Sequence, residues 1–124
     1  MKKLFILFFA LQLSIHLKSQ DTLKYFVNGV SLDTINSEYR QIIGTNKFLS
    51  TKLNIQLDFG QYNSIWKNSD TELKNNLGKK IELNSMIDAL NFMVKNGYEY
   101  VDSYIVTVNS QFIYYYLLRK IKKE

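Results

Sequence analysis

The sequence predicts an α+β fold: an antiparallel sheet of about four strands with one helix packed on one face, in the order β-β-small hairpin-α-β-β. Three observations carry that expectation. Thr51 to Phe59 alternates apolar and polar residues, the pattern of a half-buried strand. Met86 to Val94 repeats apolar residues at helical spacing, between a capping serine and Asn96-Gly97. Tyr98 to Ile121 is two β-forming runs separated by Asn109-Ser110. One helix laid on one face of such a sheet is the economical way to bury its apolar stripe.

The elements follow in chain order. Residues 1–19 read as an export signal: Met1-Lys2-Lys3 is positive, Leu4 to Ile15 is apolar and shorter than the ~20 residues a spanning helix needs, and cleavage is expected after Ser19. The absence of cysteine leaves no residue for lipoprotein anchoring. The product is expected to be exported, periplasmic or secreted, with no transmembrane segment in the mature chain. Residues 20–37 lack a clear period and read as a loosely held arm with at most one short strand; Asn28-Gly29 is a turn signal. Residues 38–124 are expected to form a single domain. Glu38 to Thr45 reads as a strand pairing with Thr51–Phe59 as an antiparallel hairpin. Gln61 to Asp70 is polar and loop-like, with Trp66 as its one large anchor. Leu73 to Leu83 reads as a small hairpin in which Glu72-Leu73-Lys74 meets Lys80-Ile81-Glu82-Leu83 across Asn75–Gly78.

The helix has both ends written in its sequence. Ser85 is the expected N-cap, Asp88 the capping-box partner, and Gly97 the left-handed stop. Met86, Leu90, Met93 and Val94 form the expected inward stripe, widened by Ile87 and Ala89. In the strand that follows, Tyr98, Tyr100, Tyr104, Val106 and Val108 are expected on one face, with Val101 and Ile105 on the other. The closing strand opposes Phe112, Tyr114, Tyr116 and Leu118 to Ile113, Tyr115 and Leu117.

Leu90-Asn91, then Gly97-Tyr98-Glu99-Tyr100-Val101, then Tyr114 to Lys120 together resemble a wide family of small bacterial domains of unknown function. Those pair a helix ending LN-x-x-G-x-x-G with a strand beginning WE-x-V, and close on an aromatic strand with basic residues at its end. Val94 stands at the first glycine of that pattern and Tyr98 at its tryptophan. The signal and the Lys/Asn/Ile/Tyr-rich composition also resemble short exported proteins of Bacteroidota-type bacteria. The resemblance spans about residues 38–120. It implies the helix-plus-sheet fold and supplies no catalytic residue.

Composition narrows the chemistry. The 124 residues are 46% hydrophobic and 22% charged, a globular profile rather than a disordered one. The chain holds no cysteine, and its one histidine is His16, inside the signal. Cys/His zinc sites, thiol nucleophiles and His-based triads are therefore outside the mature chain's repertoire; no cofactor and no metal site is expected. The net charge of +5 overstates the domain, because Lys2, Lys3 and Lys18 leave with the signal and 13 of the 16 basic groups remain against 11 acids. Nucleic acid is not an expected partner.

The remaining motifs divide unevenly. Asp58-Phe59-Gly60 spells a kinase magnesium motif without the rest of a kinase, and Gly78-Lys79-Lys80 lacks the other residues of a P-loop; both read as turns. Asn68, Asp70 and Glu72 lack the EF-hand spacing and read as a solvated loop. The Arg119–Lys123 run reads as a solvated chain end. Asp102 interrupts the tyrosine face and calls for a donor such as Arg40 or Lys52. The tyrosines are the most suggestive feature, since aromatic rings on a sheet face bind by stacking. The leading expectation is a non-catalytic interaction domain, not an enzyme, meeting a protein or cell-envelope partner through Tyr104, Tyr114, Tyr115 and Tyr116. The alternative is a carboxylate enzyme, such as a carbohydrate-active hydrolase using Asp58, Glu99 or Asp102 (Glu82 being a fourth acid of this kind). A third reading is self-association through the last strand.

Overall fold

In a computed structural model, residues 22–47, 49–60, 71–122 and 124 are described. The signal segment and the Trp66 loop expected from the sequence lie outside the described residues. Two antiparallel sheets and one helix are built from β1 (Tyr25–Val27), β2 (Val30–Ser31), a 3-10 turn (Leu32–Thr34), β3 (Tyr39–Asn46), β4 (Leu53–Asp58), β5 (Leu73–Asn75), α1 (Met86–Lys95), β6 (Tyr98–Val108) and β7 (Gln111–Lys120). Among the described residues the α+β class and one helix are as expected, but the strands form two sheets rather than one. The four-stranded sheet has the order β4-β3-β7-β6 and the three-stranded sheet the order β2-β1-β5.

The second sheet comes from the stretch expected to be a loose arm. Asn28 and Gly29 both have positive φ, 49° and 82°, the conformation of a tight two-residue hairpin, and they fold β2 back on β1. The other edge of β1 takes β5, with Val27 opposite Leu73. Both of those side chains are 1% exposed, so this pairing seats two apolar groups in the core at once. The hairpin expected within Leu73–Leu83 shrinks accordingly to a single bridge, Lys74 to Lys80. Its turn is held by Asn75, whose Oδ1 accepts from the Leu77 and Lys79 amides at 3.0 and 2.9 Å.

The helix is capped as its sequence asks. Ser85 is the N-cap and its Oγ accepts from the Asp88 amide at 3.1 Å. The Asp88 carboxylate returns a bond to the Asn84 amide at 3.0 Å, one residue before the usual capping-box position. Gly97 follows the helix with φ +88°, where a side chain would be strained. The buried stripe is rotated from the expected one. Met86, Ala89 and Met93 are buried, while Ile87 and Val94 are exposed. Phe92 explains the rotation: its ring meets Tyr25 of the small sheet edge-on at 4.9 Å, turning that side of the helix toward β1.

The residues of the four-stranded sheet that join the main core cluster lie on one face, while Ile43 and Ile113 are buried on the other. Ile42, Ile55, Leu57, Tyr98 and Leu118 cluster with Val27, Leu32, Leu73, Met86, Ala89 and Met93. Cross-strand pairs place Arg40, Gly44, Tyr114 and Tyr116 on this same face. The helix, the 3-10 turn and the small sheet all pack there. Gly44 marks the closest approach, since a Cβ at that position would stand 2.5 Å from Met86 Sδ.

Candidate functional site

A β-bulge decides which side chains share the other face. The β6–β7 register shifts between Tyr100 and Asp102, so Val101 has no partner on β7. One inserted residue reverses the face of everything beyond it. Tyr98 and Tyr100 therefore lie on the core side with Leu118, whereas Tyr104, Val106 and Val108 lie on the opposite side with Tyr115, Ile113 and Gln111. The expectation of one continuous face from Tyr98 to Val108 is corrected by that residue. The cue was present: Glu99 and Asp102, three apart, both occupy the polar side only if the alternation slips once between them.

The four tyrosines expected to form a binding face are divided by the same geometry. Tyr114 and Tyr116 point to the core side and pack against its cluster, Tyr116 meeting Tyr100 edge-on at 5.8 Å. Tyr104 and Tyr115 point the other way, because alternation along β7 puts Tyr115 opposite in sense to its two neighbours. Their rings stack at 4.7 Å with 13° between planes. The Gln41 side-chain amide donates to the Tyr104 hydroxyl at 3.0 Å and ties the pair to β3. Tyr104 is 48% exposed. Burial first, then the neighbouring Tyr104 phenol, raises the Tyr115 hydroxyl pKa above its ordinary value. Gln41 was not singled out by the sequence; its position two residues from Tyr39 on an alternating strand gave its face but not its partner.

The face is ordered in cross-strand rows. One row holds Tyr39, Arg119 and Glu99; the next holds Asp58, Gln41, Leu117 and Asp102; the next holds Gln56, Ile43, Tyr115 and Tyr104. Arg119 grips one Glu99 oxygen through Nε and Nη2 at 2.8 and 2.6 Å. That bond, then one with Tyr39, raises the Arg119 pKa further above its ordinary value.

The acids expected as a possible catalytic set have separate partners. Asp58 Oδ1 accepts from the Gly60 amide at 2.9 Å, the geometry of a turn. Asp102 does not reach Arg40 or Lys52; its Oδ1 accepts from the Ser103 amide at 2.8 Å. Glu99 is paired with Arg119, and Glu82 is exposed. Asp58 and Asp102 stand on the two edge strands, three strand spacings or about 14 Å apart. Paired glycosidase carboxylates are about 5–9.5 Å apart. Among the described residues no group of three His, Cys, Asp or Glu side chains is placed to hold a metal ion, and no helix is long and apolar enough to cross a membrane.

Arg40 sits on the core side instead, 3% exposed. Its Nη2 donates to the carbonyls of Leu32 and Ile35 at 3.3 and 3.1 Å, and its guanidinium lies 4.3 Å over the Tyr98 ring. Desolvation lowers the Arg40 pKa, against the opposing pull of Tyr98 and Asp33. A separate recess of about 1110 Å³ lies beside the helix end, lined by Lys24, Lys95, Lys120 and Lys122 with Asp33 and Glu38.

The chain matches no family model, no curated protein and no solved structure.

Proposed function

We propose that the protein is a small exported, non-catalytic binding domain that meets a protein or cell-envelope partner through the sheet face turned away from its helix. One observation carries the reading. Tyr104 and Tyr115 stack on that face, with Gln41 fixing the Tyr104 hydroxyl and nearly half of the Tyr104 surface open. Tyrosine offers a large contact area with only two side-chain torsions to immobilise, so a pre-stacked pair loses little entropy when a partner docks. Export rests on the pattern of residues 1–19, and the affinity with Bacteroidota-type exported proteins belongs to the same proposal.

The test is crosslinking in the native envelope, with the captured partner then used in a direct binding assay. Tyr104→Ala and Tyr115→Ala should each leave the circular dichroism spectrum unchanged and weaken binding at least tenfold. Unchanged binding by both variants would refute the assignment of this face.

A further inference from the structure

The last strand in sequence is not a free edge: β7 lies between β3 and β6. The edges are β4 and β6, and from Tyr100 to Thr107 β6 is exposed at every residue, with Ile105 60% exposed. We infer that β6 pairs with β6 of a second copy, antiparallel and centred on Ile105, joining two four-stranded sheets into one of eight strands.

Hydrogen-bond parity limits the register, and the two ends of the regular edge centre it. Asn109 and Ser110, both at positive φ, make the two-residue turn that joins β6 to β7. Such a turn closes on a hydrogen-bonded pair, here Val108 with Gln111. Bonded and non-bonded pairs alternate in an antiparallel ladder. Val106 and Tyr104 therefore spend their amides and carbonyls on β7, while Thr107, Ile105 and Ser103 present theirs outward. The Ser103 amide shows this directly, since it is taken by the Asp102 side chain rather than by β7.

Only outward residues can bond to outward residues of another copy. Centring on Ile105 satisfies this: Ile105 meets Ile105 of the second copy, and Ser103 meets its Thr107. On the other face Tyr104 meets Val106, and Asp102 meets Val108. The first three are β-branched, hydroxyl–hydroxyl and aromatic–β-branched pairs, the fourth sets a carboxylate beside a valine at the end of the edge, and no like charges are opposed. The strand is thus complementary to itself in this register. The bulge at Val101 ends the regular edge on one side and the Asn109-Ser110 turn ends it on the other, which limits the pairing to residues 102–108. Asp102 guards the edge, because its carboxylate must release the Ser103 amide before the outer bonds can form. The twofold axis stands perpendicular to the sheet, so the Tyr104–Tyr115 stacks of both copies fall on the same side. The pairing itself does not depend on what that face binds.

The chain has no cysteine, which makes the register measurable with one substitution. In Ile105→Cys the two thiols meet across the axis on Cα atoms about 5.5 Å apart, within disulfide range. In Val108→Cys each thiol faces Asp102 of the other copy and has no thiol to join. The form released by the producing host should show concentration-dependent dimerisation by sedimentation, and mild oxidation should crosslink Ile105→Cys at least tenfold faster than Val108→Cys. Ile105→Lys, which opposes two ammonium groups at the axis, should sediment as a folded monomer. Asp102→Ala should dimerise more tightly than the parent chain. A parent chain that stays monomeric at several hundred micromolar would overturn the inference. So would equal crosslinking at the two positions, or a dimer that survives Ile105→Lys. If Ile105→Lys fails to fold, the crosslinking ratio alone decides. Loss of partner binding in Tyr104→Ala or Tyr115→Ala bears on the proposed function and leaves this ratio untouched.

Discussion

Adding one methyl group at Gly44 should destabilise the domain, and the reason can be worked from the contact it would make. Gly44 sits on the core face of β3, and an added Cβ would lie 2.5 Å from Met86 Sδ and 3.4 Å from Leu53 Cδ1. Carbon and sulfur rest nearer 4 Å apart, so the thioether must retreat by more than about 1 Å. Met86 is 6% exposed and opens the helix immediately after its N-cap, so its retreat disturbs α1 packing. Overpacking of this kind costs about 1–3 kcal/mol. The lost freedom of glycine in the unfolded chain offsets about 0.4–1 kcal/mol. The net expectation for Gly44→Ala is a destabilisation of about 1–2 kcal/mol, or a fall of about 5–15 °C in Tm for a domain this small. Urea and thermal unfolding followed by circular dichroism measure it. A double-mutant cycle with Met86→Ala isolates the cause: in that background the added methyl enters the space left by the thioether and should be neutral or stabilising, giving a coupling of about 1–2 kcal/mol. A Gly44→Ala variant as stable as the parent, or a cycle with no coupling, would refute the account of how the helix sits on the sheet.

Other perturbations follow from the same packing. The Tyr98 hydroxyl is buried and has no hydrogen-bond partner among the described residues, so Tyr98→Phe should leave stability at pH 7 unchanged or raised by up to about 1 kcal/mol, with the ring still beneath Arg40. Burial raises the Tyr98 pKa above its ordinary 10.0, more than Arg40 lowers it. The folded state then holds this proton more tightly than the unfolded chain, so stability is full below pH 10 and falls as pH rises through the folded value; Tyr98→Phe should flatten that loss in alkaline unfolding curves. Ser85→Ala removes the oxygen that accepts from Asp88 and should cost about 1 kcal/mol by denaturant titration. Val101→Ala should change stability by no more than about 0.5 kcal/mol because the side chain is exposed. Deleting Val101 should abolish cooperative unfolding, since removing the bulge forces either Tyr98 out of the core or Tyr104 into it.

How far the fold could be read in advance varied with the range of the interaction involved. The cap at Ser85, the stop at Gly97 and the turn at Asn109-Ser110 rest on residues within four positions of one another, and each is found where its local chemistry places it. The alternation of Leu53, Ile55 and Leu57 likewise gave a strand and its core-facing side. The helix stripe was off by part of a turn because Phe92 answers to Tyr25, a residue 67 positions away on another sheet. The candidate site was half legible. Tyr104, Tyr114, Tyr115 and Tyr116 stood out together as face aromatics, and nothing local divides them into two pairs until the sense of each strand against the helix is known.

What the sequence determined by itself is the list of elements and their ends, because capping, turn conformation and side-chain period are paid within a few residues. Which strands pair was decided only by the tertiary structure. Every strand offers the same backbone donors and acceptors, so hydrogen bonding cannot tell β5 whether to join its own return segment or β1, more than 40 residues earlier; burying Val27 and Leu73 together makes that choice. The same holds for β6, whose place at the sheet edge and slipped residue at Val101 depend on β3 having taken the other side of β7.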